Sequence, residues 1–301
     1  MKKAAKAWLL AACSLILIGI MILGGTAAML KWDLTKLSTV NYETVSHEIK
    51  EPYHGISIIT NTADIVFVAA EDIKHTVTCY EQSNVKHAVT VKDGALVIEV
   101  IDTRKWYEHI AINFGAPTIT VSIPRGEYGA LSISSNTGDV KLSKEFHFSS
   151  IDVSESTGDV ECYASASEGI KIKATTGSVS VAGISAHTLD VSLSTGNIKL
   201  TDITCQSLVS SGSTGNITLK NVIAAASLSV ERSTGDVKFD GCDAAEIRVR
   251  TTTGNVTGTL LSEKTFTAST STGSVEVPKT SGGGRCEITT STGNIRISLQ
   301  Q

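Results

Sequence analysis

The feature that most constrains the fold of this chain is a short internal repeat. The dipeptide Thr-Gly, followed by Asp, Asn or Ser and then by Val or Ile, recurs at intervals of 19 or 20 residues. A fixed period of this length is typical of stacked supersecondary units, each too small to bury its own apolar face. The repeat therefore predicts an elongated stack. Its nine turn glycines are Gly138, Gly158, Gly177, Gly196, Gly215, Gly235, Gly254, Gly273 and Gly293.

Alignment on that glycine reveals the predicted core. Apolar residues hold the positions seven and five before the glycine and two and four after it, as Ile151, Val153, Val160 and Cys162 do around Gly158. Residues two apart share one face of a strand, so each coil should contain a strand, the Thr-Gly turn, a second strand and a looser return segment. Repeated coils stack as parallel ladders about 4.8 Å apart. We predict an all-β, single-stranded parallel β-solenoid over residues 131–301, on the order of 40 Å long.

The turn residues have a structural explanation. Glycine supplies a positive φ angle, and a short Asp or Asn side chain can hydrogen-bond the local backbone. A column containing Asp139 and Asp159 also suggests calcium, but the next copies offer Ser178 and Asn197, and the nine-residue calcium-roll motif is absent. We therefore assign these glycines a structural role and expect neither a metal site nor a cofactor.

A second segment predicts a membrane anchor. Residues 7–30 carry no formal charge, and a helix of that length covers the roughly 30 Å hydrocarbon core of a bilayer. Three lysines lie within residues 1–6, so the positive-inside rule places this N-terminus in the cytoplasm and the rest outside. We expect a single-pass protein of the cell membrane with a juxtamembrane linker over residues 31–44 and an extracytoplasmic repeat domain.

Two alternatives for this segment stay open. Thr26-Ala27-Ala28 has the small residues of a signal-peptidase site, and Leu10-Ala11-Ala12-Cys13 has the form of a lipobox. Either alternative exports the same domain.

Net charge limits the class of partner, and cysteine spacing limits the role of the cysteines. After Lys31 the chain has 22 basic and 30 acidic residues, and a domain of that sign repels phosphate backbones. No nucleic-acid partner is expected. Five cysteines follow the apolar segment in an odd number and without metal-binding spacing, so we predict that they fill the core. They are Cys79, Cys162, Cys205, Cys242 and Cys286.

Residues 45–130 have a different sequence pattern, which predicts an N-terminal cap. Ile56, Ile58, Ile65 and Phe67 fit the repeat template with Ala63 in place of the glycine, which indicates a first coil. Alternation around Asp93-Gly94 predicts a β-hairpin, and alternation over residues 119–123 predicts a further strand.

These motifs together resemble a known family. The hairpin over 93–98, the strand over 119–124 and the serial Ser-Thr-Gly-Asp-Val coils are similar to bacterial β-strand-repeat proteins of unknown function labelled "putative adhesin". The resemblance covers about residues 45 to 301. It implies a non-enzymatic, membrane-anchored scaffold or adhesion module of the bacterial cell envelope. Some members with a similar anchor lie near envelope-stress systems, which gives a regulatory component as the alternative.

An enzyme is the third hypothesis. The sequence contains no GxSxG, HExxH, P-loop or paired-carboxylate motif, and its seven histidines are scattered. We therefore predict no catalytic residues, and a polysaccharide-active β-helix enzyme ranks last.

One loop stands out as a candidate binding segment. The stretch from Asp102 to Pro117 combines amphipathic aromatic residues with arginine, which are the residue types that anchor contacts. A loop of this kind either binds a partner or folds over the open end of the solenoid as its cap. The candidate residues are Arg104, Trp106, Tyr107, His109 and Phe114.

The last repeat predicts a second contact region. It runs through Ile295 and Ile297, with no helix after it to cover the final coil. An uncovered parallel coil offers unpaired backbone groups to another strand. We therefore expect end-to-end self-association, or a protein or cell-wall partner that docks on this end.

Overall fold

The computed structural model describes residues 2–32, 40–106, 115–280 and 282–300. In these ranges the chain forms one helix, α1 (Lys2–Met29), and strands that all belong to one continuous sheet. The segment Lys6–Met29 of α1 is long and apolar enough to cross a membrane, with a mean hydropathy of 2.5. The helix fits a membrane anchor, and a signal sequence near an N-terminus has the same properties.

The strands fall into a cap region and a repeat region. The cap region contains β1 (Tyr42–Ile49), β2 (Gly55–Ile59), β3 (Asp64–Ala69), β4 (His75–Gln82), β5 (Val85–Lys92), β6 (Ala95–Asp102) and β7 (Thr118–Ile123). The repeat region begins with β8 (Gly126–Tyr128), β9 (Leu131–Thr137), β10 (Val140–Leu142), β11 (Phe146–Thr157), β12 (Val160–Cys162), β13 (Ser165–Thr176), β14 (Val179–Thr195) and β15 (Ile198–Thr214). It continues with β16 (Ile217–Thr234), β17 (Val237–Thr253), β18 (Val256–Leu260), β19 (Lys264–Thr272), β20 (Val275–Glu276), β21 (Gly284–Thr292) and β22 (Ile295–Leu299).

Parallel pairing of equivalent residues builds the repeat region, as predicted. Val160 pairs with Val140 on one side and with Val179 on the other, and all three are buried. The four apolar columns face the interior, and the residues between them face solvent. The five core cysteines are free thiols, each buried, which confirms their prediction as core fillers. The chain is therefore a parallel β-solenoid.

The central coils differ from the expected looser return segment. Strands β14 to β17 each continue from one Thr-Gly turn to the next, and Ile184, Ile203 and Val222 add a buried column on a third face. A second corner makes this continuity possible, because one residue per coil adopts a left-handed backbone conformation that bends the strand without ending it. These corner residues are Gly183, Asp202, Asn221 and Gly241, with φ angles of 66°, 53°, 51° and 65°.

At the N-terminal end the order of rungs in space departs from the order in sequence. β2 and β3 form the predicted first coil, and they stack on β9 and β10. Their other side pairs with β6 and β7, which form the outermost parallel rung. Beyond it, β5 pairs antiparallel with β6, β4 with β7, and β1 with β4. These antiparallel strands close the stack, and β1 begins at Tyr42, inside the predicted linker.

The hairpin prediction is confirmed in detail. β5 and β6 pair in full antiparallel register, with Lys92 opposite Ala95. Asp93 and Gly94 between them have φ angles of 51° and 76°. Two positive φ angles match the twist of the flanking strands.

At the C-terminal end our prediction of the final rung is wrong. β21 pairs with both β17 and β19, and β22 pairs with both β18 and β20, so the copy around Gly293 lies inside the stack. The copy around Gly273 forms the outer rung. Burial favours this order, because Ile288, Ile295 and Ile297 of the inner copy are buried whereas Val275 of the outer copy is 44% exposed.

The Thr-Gly turns approach one another so closely that only glycine fits. A Cβ atom added to Gly158 would lie 2.0 Å from the carbonyl oxygen of Gly138, and one added to Gly177 would lie 1.9 Å from that of Gly158. The nine glycines have φ angles between 126° and 156°. Ala63 is the informative exception. The rung beneath it has a loop where a turn would lie, and Ala63 is not among the positive-φ residues.

Two substitutions separate the need for a positive φ angle from the need for space beside the neighbouring carbonyl group. Gly196→Ala places a Cβ 1.6 Å from the Gly177 oxygen, so backbone must move as well as φ. We expect it to lower the free energy of unfolding by more than about 3 kcal/mol, because strain and displacement add. Gly183→Ala is the matched control, with a positive φ but no atom within 4 Å of its Cβ, and should cost only about 1–2 kcal/mol. Chemical denaturation of the full chain, followed by circular dichroism, measures both. Equal losses would contradict the role of backbone contact.

Candidate functional site

The turn edge of the solenoid carries a ladder of side-chain hydrogen bonds. The Oδ1 atom of each Asp or Asn after the turn glycine accepts the backbone N–H of the equivalent residue one rung away. Asp139 accepts from Asp159 at 2.8 Å, and Asn197 accepts from Asn216 at 2.9 Å. The ladder continues through Asn216, Asp236, Asn255 and Asn294. These oxygens therefore stabilise the stack, which explains the residue types without calcium.

The ladder has one gap, which offers a test. Ser178 donates its backbone N–H to Asp159 Oδ1 at 2.7 Å. It stands, however, where an Asn side chain would be needed to accept the N–H of Asn197. Ser178→Asn should complete the ladder and raise the free energy of unfolding by about 0.5 kcal/mol. Ser178→Ala is the control and should leave stability unchanged. Thermal denaturation of both variants beside the native chain measures the effect, and a loss of stability in Ser178→Asn would count against the ladder.

A further inward-facing column, which lies three residues before each turn glycine, contains buried polar side chains. Glu155 is 3% exposed, and its Oε1 accepts the N–H of Thr157 at 3.3 Å. Its Oε2 is buried without a hydrogen-bond partner among the described residues. Burial raises the pKa of this carboxyl group above its usual value. Other buried polar members of the column are Ser135, Arg232, Thr251 and Thr290.

Arg232 is the second uncompensated charge in that column. Its guanidinium occupies the space above Gly212, and Nη1 donates to the carbonyl oxygen of Leu193 at 2.8 Å. Nε and Nη2 are buried and find no acceptor among the described residues. Burial lowers the pKa of this side chain. Arg232 and Glu155 lie four rungs apart, roughly 19 Å, so they do not neutralise one another.

The raised pKa of Glu155 predicts a pH dependence of stability. The folded state holds the proton more tightly than the unfolded state, so stability falls as the pH rises from the usual glutamate value through the folded-state pKa. Glu155→Gln removes this fall and should raise the free energy of unfolding at neutral pH by on the order of 1 kcal/mol. The gain should shrink as the pH approaches the usual glutamate value.

Glu161→Gln is the control for that measurement. Glu161 is exposed and pairs with Lys141 at 2.9 Å, which lowers its pKa. This variant should show no gain at neutral pH. Thermal denaturation across a pH series distinguishes the two, and a pH-independent effect of Glu155→Gln would contradict the assignment.

The described ends of the predicted binding loop, residues 103–106 and 115–117, lead from β6 to β7, the two strands of the outermost parallel rung. β1, β4 and β5 pair beyond that rung, and the interpretation of this loop as an end cap stays a prediction. Arg104 forms a two-pronged ion pair with Asp102, with Nε 2.9 Å from Oδ1 and Nη2 2.5 Å from Oδ2. Trp106 is 79% exposed.

The remaining loop candidates, Tyr107, His109 and Phe114, lie outside the described residues. The loop as a binding segment stays a prediction.

The cap contains a buried polar cluster that sequence reasoning missed. Glu81 Oε2 accepts the backbone N–H of His87 at 2.7 Å and lies 2.8 Å from His87 Nδ1. His87 Nε2 lies 3.0 Å from the hydroxyl oxygen of Thr60. Cys79 completes the cluster, because its sulfur and the ligand atoms of Glu81 and His87 all lie within 4.8 Å of one another. Cys79, Glu81 and His87 are each at most 5% exposed.

The cluster has the order of groups found in nucleophilic enzymes but not their access. A hydroxyl, an imidazole and a carboxylate follow one another through Thr60, His87 and Glu81. Thr60 is only 3% exposed, so a substrate cannot reach its hydroxyl. The arrangement is suited to binding a small ion or to joining strands, not to turnover.

Strand alternation was the signal that would have located these residues. Cys79 and Glu81 follow Val77 at intervals of two on β4, and His87 precedes Val89 on β5, so all face inward. β4 pairs with β7 and β5 pairs with β6, on two different faces of the solenoid, and the two strands share one residue pair, Gln82 with Val85. Their side chains meet across the interior, which spacing along the sequence does not reveal.

With the fold and these clusters established, the family can be assigned. The model of the Toastrack DUF4097 family matches residues 53–211 and 185–301. The chain belongs to the Toastrack DUF4097 family. The two matches together span residues 53–301, which contain the repeat region and all of the cap region except β1. No curated protein matches the chain.

Solved structures are similar to this chain. A crystal structure described as a "putative adhesin" from Bacteroides fragilis is 16% identical, with a TM-score of 0.50 over 86% of this chain and 97% of that one. Another, described in the same words, from Parabacteroides merdae, is 11% identical, with a TM-score of 0.44 over 87% and 98%. At this identity the first likeness shows the fold alone.

Proposed function

We propose that the protein is a membrane-anchored, extracytoplasmic adhesion or scaffold module of the bacterial cell envelope, without catalysis of its own. The observation that carries the proposal is the outer rung formed by β19 and β20. These strands pair on one side only, with β21 and β22, and no other described strand reaches their outer edges. An open parallel edge is a template for another strand.

The β19 part of the open edge lacks the devices that normally prevent pairing. From Thr265 to Val275 the rung has no charged residue, and Lys264 before it turns inward, 3% exposed, with Nζ 2.5 Å from Asp243 Oδ1. The one outward charge of the rung is Glu276 at the end of β20, which is paired with Arg296 at 2.6 Å. Edge strands are usually protected by outward charges or proline. The exported region has a negative net charge, so this neutral edge is where a second copy can approach without repulsion.

The partner that fits this edge best is a second copy of the chain. Two copies related by a twofold axis would bring their outer rungs together antiparallel, and this pairing closes on itself. It would cover the core columns that the outer rung leaves partly open, Phe266, Ala268 and Val275.

The position of the edge supports adhesion. β1, which follows α1 and the linker, lies at the opposite end of the solenoid from β19 and β20. At about 4.8 Å per rung the two ends are on the order of 40–50 Å apart. A helix that anchors one end, as α1 fits, would hold the open edge away from the membrane. No observation favours the regulatory alternative.

Lysines on the open edge test the proposal. Thr267→Lys combined with Ser269→Lys adds two outward charges to β19, and we expect it to abolish association by repelling the paired copy. Ser132→Lys combined with Ser134→Lys is the matched control on β9, which has a strand on each side. Light scattering of the full chain in detergent gives the mass of the particle, and aggregation of cells that display the chain gives adhesion.

Dimers and aggregating cells for the native chain and the β9 variant, with monomers and dispersed cells for the β19 variant, would support the proposal. A native chain that stays monomeric at high concentration, or equal behaviour of the two variants, would refute self-association through this edge.

A further inference from the structure

We propose that Cys79, Glu81 and His87 form a binding site for a divalent transition-metal ion of the zinc type inside the cap. Among the described residues this is the one place where three such groups meet. The inference is independent of the proposed adhesion role.

The donor atoms have the chemistry and spacing of a zinc site. Thiolate, imidazole and carboxylate are the three ligand types that zinc prefers, with bonds of roughly 2.0–2.3 Å. Tetrahedral bonds of that length place ligand atoms roughly 3.3–3.8 Å apart. The sulfur, carboxylate oxygen and imidazole nitrogen here lie within 4.8 Å of one another, with Glu81 Oε2 and His87 Nδ1 at 2.8 Å. Shifts of about an ångström would admit the ion, and water would fill the fourth position.

The second ring nitrogen of His87 is held as in metal sites. Ligating histidines almost always donate their other N–H to an oxygen acceptor, which fixes the ring. His87 Nε2 lies 3.0 Å from Thr60 Oγ1, and both residues are buried. With the metal bound, the single N–H of the neutral imidazole would lie on Nε2 and donate to Thr60 Oγ1, which leaves the lone pair of Nδ1 for the ion. The backbone N–H of His87 would go on holding Glu81.

The charge balance also favours a cation. Glu81 is 2% exposed, and its only ion-pair partner among the described residues is His87. A divalent ion that displaces the thiol proton of Cys79 to solvent would neutralise the thiolate and the Glu81 carboxylate together. Buried charge without such compensation is costly.

Access to the site follows the end of the stack. The cluster lies beside Ser83 and Asn84, which connect β4 to β5, and Ser83 is exposed. β5 pairs fully with β6 alone, so local opening of this outer hairpin suffices for entry.

Cobalt provides the direct test, because Co²⁺ bound to a thiolate gives a charge-transfer absorption. The metal-free full chain in detergent should develop this band with one equivalent of Co²⁺ and lose it when Zn²⁺ is added. Zn²⁺ should also raise the melting temperature, since it binds the folded state. Cys79→Ser should abolish the band, and His87→Gln should weaken Zn²⁺ binding at least about 10-fold.

Two further variants make the test specific. Thr60→Val should keep the band but weaken Zn²⁺ binding by about 10-fold, because only the support of His87 is lost. Cys162→Ser is the control, since Cys162 is equally buried in the solenoid but belongs to no such cluster. It should behave like the native chain.

The native chain decides the matter even if a variant fails to fold. Absence of both the cobalt band and the zinc-dependent rise in melting temperature would overturn the proposal, and the cluster would then be a hydrogen-bonded brace between β4 and β5. A band that survives in Cys79→Ser or vanishes in Cys162→Ser would overturn it as well.

Discussion

The solenoid depends on the contact between one Thr-Gly turn and the next. Each turn glycine lies directly against the carbonyl group of the equivalent residue beside it, which is Ala63 for Gly138 and a glycine for the others, with no room for a Cβ atom between them. Because the turns stack this closely, the flanking strands keep parallel register, and the buried columns stay continuous. The Asx ladder runs along the same edge and satisfies backbone N–H groups there. Register, core and turn chemistry thus share one geometric origin.

The sequence predicts the features that repeat along the chain, but it does not predict the order in which equivalent copies stack. The core columns, the first coil at Ile56 and the hairpin at Asp93-Gly94 follow from periods of two and twenty, and all are confirmed. The position of the copy around Gly293 was missed because equivalent columns pair equally well with any neighbouring rung. Its place is decided by how much apolar surface each copy can bury, which spacing does not express.

The cap cluster shows the same limit at the level of a site. Alternation could have placed Glu81 and His87 on inward faces, but they meet only because β4 and β5 pair with strands on two different faces of the solenoid. The burial of the column three residues before each turn glycine was also missed. Glu155 and Arg232 in this column are charged, and a search for apolar residues does not mark their positions as buried. Both misses concern polar groups inside an otherwise aliphatic core.

The inverted order of the last two copies has a consequence for how the molecule is assembled. From the copy around Gly138 onward, a chain that emerges with its N-terminus first can add each coil to the one before it, up to the copy around Gly254. The copy around Gly273 then lacks its native neighbour until β21 inserts between β17 and β19 and β22 inserts between β18 and β20. The stack is therefore completed by insertion of these two strands, which connect the outer rung to the rest of the solenoid.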